Sequence, residues 1–348
     1  METDLWKSIK KPIIGQAPMD GISDAAFRYI TDKYGHPSVL FTEFVSVEGI
    51  NRGITPLLSA FIHHKTKTPT IAQLFGSNPK DFYNCAMIVA ELGYDGLDIN
   101  MGCPDRSVTK KGAGAALILE PIRAKEIVKW AKKGFKDWSE GRKIANLKIS
   151  AKTTDFISFI QKKYRLSIKR RLLPVSIKTR IGYDKVVTLP WINHLVEAQP
   201  AVITLHGRTL QQLYHGKADW EEIGRAATLT RGASIILLGN GDIKNIDEAK
   251  VKISKYKLGG VLIGRASCGN PWVFQDKTPS YRQRLEVAVE HCQVFTKMLP
   301  DGHFLSLRKH LSWYCKYLKG AAKYRARLMR VKNMVEVNVI ISEMLNHC

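Results

Sequence analysis

Acidic residues are scarce in this chain: 31 Asp and Glu stand against 54 Lys and Arg in 348 residues, a net charge of +23. Long apolar runs are missing too. None approaches the roughly 18 residues that a membrane span requires, and residues 1–11 carry no apolar signal core. A soluble, cytoplasmic protein is therefore expected. The six cysteines, at 85, 103, 268, 292, 315 and 348, form no CxxC pair and no metal-ligand spacing. That excludes a disulfide framework and predicts neither zinc nor an iron–sulfur cluster.

The excess positive charge is concentrated in blocks. Residues 1–122 hold 12 Lys and Arg against 13 Asp and Glu, whereas residues 123–185 hold 19 against 5 and residues 281–348 hold 12 against 5. Two concentrated basic blocks point to a polyanionic partner, and nucleic acid is the expected one. The apolar fraction of 45% is enough for a sizeable core.

Eight short, mostly apolar runs alternate with helical stretches, at 13–17, 39–42, 70–74, 96–100, 175–179, 202–205, 234–238 and 260–263. Strands buried on both faces read this way. Eight βα units over about 265 residues predict a TIM barrel, with a doubly wound sheet as the alternative. The first helix, 23–34, is expected to be capped by Ser23. Strand signals stop near residue 280. Segments 281–299 and 305–339 read as helices, the second broken near Gly320, with Leu307, Leu311, Tyr314 and Leu318 on one packed face. The expected division is a barrel over 1–279 and a small helical domain over 280–348. Residues 137–173 exceed what a helix-to-strand connection needs. They form a basic insertion, with Thr154 the expected cap of a short amphipathic helix. Because it follows a helix, its root lies on the face opposite the catalytic loops.

The residues that carry chemistry fall at predicted strand ends. Gly102-Cys103-Pro104-Asp105 puts a thiol just past the fourth strand, beside a Lys- and Gly-rich loop from Arg106 to Gly114. Gln73 follows strand three, Asn100 strand four, Lys178 and Arg180 strand five, and His206 and Arg208 strand six. Pro18 and Met19 follow strand one. The loops after strands seven and eight, Gly239-Asn240-Gly241-Asp242-Ile243 and Gly264-Arg265-Ala266, are built to bring backbone N–H groups and a guanidinium to a phosphate.

These stretches resemble the tRNA-dihydrouridine synthase family. The likeness rests on Ala17-Pro18-Met19-Asp20-Gly21-Ile22-Ser23-Asp24, Gln73-Leu74-Phe75-Gly76, Asp98-Ile99-Asn100-Met101-Gly102-Cys103-Pro104 and Val175-Ser176-Ile177-Lys178-Thr179-Arg180. It continues through His206-Gly207-Arg208-Thr209, the Tyr214–Trp220 stretch, both phosphate loops, Asn270-Pro271-Trp272, and Arg308-Lys309-His310 with Trp313-Tyr314. It spans nearly the whole chain, although the 137–173 insertion is longer and more basic than the family pattern. The resemblance implies an FMN-bearing barrel, a helical tRNA-binding domain and NADPH as reductant. It implies hydride transfer to uracil C6, with Cys103 protonating C5. Pro18, Met19, Gln73, Lys178, His206, Asn240, Gly241, Asp242, Gly264 and Arg265 would then hold FMN. Asn100, Arg180, Arg208 and Tyr214 would face the substrate. A monomer acting on tRNA, without metal or membrane, is expected. Two alternatives stay open: an FMN-dependent dehydrogenase of a free pyrimidine or other small molecule, and a non-catalytic RNA-binding protein on a barrel scaffold.

Overall fold

The structure is a computed structural model, and it describes residues 5–62, 66–299, 304–316 and 320–346. Eight parallel strands form one sheet: β1 (Ile13–Gln16), β2 (Leu40–Ser46), β3 (Thr70–Phe75), β4 (Gly96–Met101), β5 (Val175–Gly182), β6 (Val202–Thr209), β7 (Ile236–Asn240) and β8 (Gly260–Ile263). From β2 to β8 each strand pairs with the next in sequence, and β1 pairs with β8. Two backbone hydrogen bonds, Ser38 N–H to the Ile14 carbonyl (2.8 Å) and Gln16 N–H to the Val39 carbonyl (3.0 Å), join β1 to the start of β2. The sheet thus curls into the TIM barrel that the strand pattern predicts. Its strands are buried nearly throughout, as their continuous apolar runs require.

The helices of eight or more residues are α1 (Ala25–Gly35), α2 (Pro79–Glu91), α3 (Pro121–Ser139), α4 (Ala151–Lys163), α5 (Thr188–Glu197), α6 (Trp220–Gly232), α7 (Ile246–Tyr256), α8 (Tyr281–Met298), α9 (Leu307–Tyr314), α10 (Ala321–Leu328) and α11 (Met334–Asn346). Three local expectations need correction. The cap of α1 is Asp24, whose carboxylate accepts from Phe27 N–H at 2.8 Å. Ser23 instead accepts from Met19 N–H at 2.9 Å and so shapes the loop after β1. Thr154 lies inside α4, which Ser150 precedes. The stretch after Cys103 is no open loop: it folds into a helical turn, Arg106–Thr109, and a 3-10 segment, Gly114–Leu119.

Among its described residues, the unit after β2 has two short helices, Val47–Asn51 and Thr55–Ser59. The insertion packs over this thin sector. Ile157 and Ile160 of α4 are fully buried there, and Thr153 Oγ1 donates to the Ile50 carbonyl at 2.6 Å.

Helices α8 to α11 share a core with the outer face of α1. Leu285, Ala288, Leu307, Leu311 and Tyr314 pack with Ala26, Ile30 and Trp272. Leu318 falls outside the described residues. Glu290 of α8 fastens the contact, accepting from Lys33 at 2.7 Å and from the Tyr34 hydroxyl at 2.5 Å. At its centre His291 and His310 lie 4.8 Å apart, ring to ring, both buried.

Candidate active site

Strand register builds the site. It sets Gln73 beside Asp98 and Asp98 beside Ser176. Two residues further along the strands it sets Asn100 beside Lys178, and further still Arg180 beside His206 and His206 beside Asn240. Alternation along a strand turns residues two apart to one face, so Ser176, Lys178 and Arg180 ascend the barrel interior in steps.

These polar side chains join in one hydrogen-bonded chain. Ser176 Oγ donates to Asp98 Oδ1 (2.6 Å), and Gln73 Nε2 donates to Asp98 Oδ2 (2.6 Å). Asn100 Nδ2 donates to Gln73 Oε1 (3.0 Å). Asn100 Oδ1 then accepts from Gly102 N–H (3.0 Å) and Cys103 N–H (2.8 Å). A carboxylate only accepts, so Asp98 fixes which way the Gln73 amide faces, and Gln73 fixes Asn100. The Cys103 turn is thereby held from the barrel interior. Arg180 holds it from the other side, its Nε donating to the Gly102 carbonyl at 2.6 Å. Sequence alone assigns Asp98 and Ser176 no role. A lone carboxylate in a strand buried on both faces was the available signal, because burying it demands partners.

Burial sets the protonation states. It raises the Cys103 thiol, and the nearby Asp105 and Asp20 carboxylates add to the rise, so the thiol keeps its proton at neutral pH. Burial lifts Asp98 to about 6 and lowers Lys178 to about 8, with the Arg180 guanidinium adding to the latter. His206 is pushed well below its usual value by burial and then by Lys178, Arg180, Arg208 and Arg265. It is a neutral imidazole. Arg180 Nη1 lies 3.4 Å from its Nδ1 and can only donate, which assigns the ring proton to Nε2.

A cavity of ≈ 1300 Å³ opens above these residues. Its lining includes Pro18, Met19, Gln73, Asn100, Cys103, Lys178, Arg180, His206, Tyr214, Asn240, Gly241, Asp242, Gly264 and Arg265. Arg208 is the exception among the expected site residues. It is buried and does not line the cavity: it pairs with Asp242 (2.6 Å) and donates to the His215 and Gly216 carbonyls. Its work is to anchor the segment that carries Tyr214. Asp242, at φ 56, also accepts from Ala218 N–H and from Arg265 (2.9 Å). Arg265 lies over the Tyr214 ring at 5.3 Å. Gly241 has φ 130, and a Cβ there would stand 2.6 Å from that of Ala218, so only glycine fits this turn. Two residues outside the barrel strands, Arg284 and Lys316, line the cavity from the helical region.

Fold and cavity together define a TIM-barrel protein with a large polar cavity at the C-terminal ends of its strands. The model of the dihydrouridine synthase family matches residues 15–140 and 146–347, and the chain belongs to that family. It is 29% identical over 351 residues to a probable tRNA-dihydrouridine synthase of Staphylococcus epidermidis, covering 98% of this chain and 96% of that one. A probable tRNA-dihydrouridine synthase 1 of Synechocystis is 28% identical, covering 95% and 86%. Among solved structures, a DHODH from Eimeria tenella is similar at a TM-score of 0.47 and 11% identity, covering 73% of this chain and 76% of that one. Among the described residues no His, Cys, Asp and Glu group could hold a metal ion, and no helix is long and apolar enough to cross a membrane.

Proposed function

We propose that this chain reduces specific uridines of cytoplasmic tRNA to 5,6-dihydrouridine, using FMN that NADPH reduces. The observation that carries the proposal is the convergence of a protonated thiol, a cationic floor and two glycine-bearing phosphate loops on one cavity. That cavity is larger than the ~300–1,000 Å³ of ordinary ligand pockets. It has room for a flavin and for a base turned out of its stack.

The residues present suit FMN. Lys178, half-buried in the cavity floor, offers Nζ donors, and Gln73 keeps amide capacity beyond its two bonds in the chain. His206 offers Nε2–H. With Pro18 and Met19 these would surround the ring system, while Asn240, Gly241, Asp242, Gly264 and Arg265 would take the phosphate end. When bound, FMN supplies the hydride that uracil C6 receives. Cys103 supplies the proton to C5, and its raised pKa keeps that proton in place until it is needed. Asn100 and Arg180 hold the thiol's turn and, with Tyr214, face the base. Reaching a uridine in folded RNA costs a few kcal/mol of unstacking. Backbone contacts from cations such as Arg284 and Lys316 offset it.

The test is mass spectrometry of nucleosides from unmodified tRNA incubated with the protein, FMN and NADPH. A uridine heavier by two hydrogens supports the proposal. A protein that holds FMN and oxidises NADPH without that product would instead be a small-molecule dehydrogenase.

A further inference from the structure

Accepting tRNA as the substrate, we propose that the insertion between α3 and β5 is a second RNA-backbone contact, made by Lys148 and Lys152 at the rim of the catalytic face. The root of the insertion lies on the opposite face, so its reach decides the matter. Helix α4 runs parallel to α2. Its last turn is tied to the end of α2, Gln161 Nε2 donating to the Glu91 carbonyl at 2.9 Å. Its start is tied to Asn51, through Ser150 N–H to the Asn51 carbonyl at 2.8 Å. Asn51 in turn donates to Asp81, in the first turn of α2, at 2.7 Å. Helix α2 begins just after β3 ends. The start of α4 therefore stands at the level of the strand C-termini.

The surface between Cys103 and that point is continuous. Arg106 lines the cavity. The segment it opens runs to Gly112, where an added Cβ would lie 3.9 Å from Ser77. Ser77 N–H is held by Glu48, and Lys80 follows in the first turn of α2. Gly53, next to Arg52, meets Ser150 and Lys152, its added Cβ standing 2.6 Å from Ser150 Oγ and 2.9 Å from Lys152 Cβ. Along this path Arg52, Lys80, Lys148 and Lys152 are exposed.

The nearest carboxylates are occupied within the fold. Asp81 accepts from Asn51, and Glu48 accepts from the Ser46 hydroxyl and Ser77 N–H. Asp155, one turn further along α4, and Asp105, beside Arg106 and accepting from Ser107 N–H, are exposed acids of this region. The lysines of α3 differ: Lys125 pairs with Glu197 (2.5 Å), Lys129 with Glu126 (2.8 Å) and Lys133 with Asp137 (2.7 Å). Charge on α3 is neutralised locally, whereas charge at the rim is presented outward. A polyanion that has one base in the cavity and is gripped by Arg284 and Lys316 on the β8 side must leave the mouth somewhere. The track from Arg106 to Lys148 fits an RNA backbone leaving over β3 and β2. Because it lies outside the cavity, it takes phosphates of any sequence.

The test compares the double variant Lys148→Glu/Lys152→Glu with Lys129→Glu/Lys136→Glu, which makes the same charge change on α3. Binding of unmodified tRNA to the full-length protein is followed across a KCl series. The rim variant should bind roughly tenfold more weakly near 100 mM KCl, with a log–log salt slope shallower by about 1–2. The α3 variant should keep the wild-type slope, and both should keep their flavin. Equal losses in the two variants would mean net charge alone and would overturn the proposal. So would an unchanged rim variant, which leaves tRNA as the substrate if the wild type binds it. A wild type that binds no tRNA would overturn both.

Discussion

Asp98 does not touch the Cys103 turn, yet it is the link from which the orientation of that turn descends. Replacing it with Ala strands two buried donors, Gln73 Nε2 and Ser176 Oγ. Each costs about 1–3 kcal/mol, or about 2–6 kcal/mol together. The same change removes a carboxylate that burial has raised from 3.8 to about 6, which returns about 3 kcal/mol above pH 6. The sign follows from the raised folded pKa: the stability this group gives is present in acid and is lost as pH rises through 6. The net lies between about 1 kcal/mol gained and 3 lost, so Asp98→Ala should fold. Its Gln73 and Asn100 amides are then free to turn over, and the thiol is misplaced. A loss of about 10²-fold in single-turnover uridine reduction is expected, with tRNA affinity and flavin content retained. Asp98→Asn can keep both bonds in one amide orientation, accepting from Gln73 and donating to Ser176. It should stay within about tenfold of wild type. It also removes the anion that supports Lys178's charge, so the alkaline limb of the rate should move to lower pH. Dihydrouridine formation from pH 6 to 9, beside urea unfolding, measures all of this. A flavin-replete Ala variant with the wild-type rate would refute the chain as a positioning device. Ala and Asn variants equally inactive would show that charge, not amide orientation, is what Asp98 contributes.

Cys103→Ala should keep bound flavin and tRNA affinity while losing about 10²–10⁴-fold in uridine reduction, as expected when a general acid is removed. Full activity in the nucleoside assay would exclude the thiol. Arg265→Ala should weaken flavin retention about tenfold or more, measured by fluorescence on dilution, since a charge-assisted phosphate contact is lost. His291 sits at about 3 and His310 well below its usual value, both through burial, so the unfolded chain takes their protons first as pH falls below 6.5. His291 should remove about 2 kcal/mol between pH 6.5 and 5, and His310 acts in the same direction. Glu43, raised by burial to about 7, works in the opposite sense over that range. The difference between wild type and His291→Gln/His310→Gln in urea isolates the histidines, and identical pH profiles would refute their burial as neutral rings.

The sequence by itself determined the eight strands, because parallel strands buried on both faces must be apolar runs, and their boundaries could be read to within a few residues. It placed Cys103 and both glycine loops at strand ends, because turns there have few residue solutions. Lys178 and Arg180 were legible together, since alternation alone turns both to one face. What only the tertiary structure decided depends on neighbours that are distant in sequence. Register between β3, β4 and β5 made Gln73, Asp98 and Ser176 one chain, and no local signal carries register. Arg208 looked like a cavity residue on the same alternation, but Asp242, 34 positions on, draws it into the wall. Ser23 and Asp24 are equally good caps by composition, and the demand of the Met19 turn for a hydroxyl assigned them. The insertion's composition announced its charge; its reach to the catalytic rim was decided by the thin sector after β2, which left an apolar strip for α4 to cover.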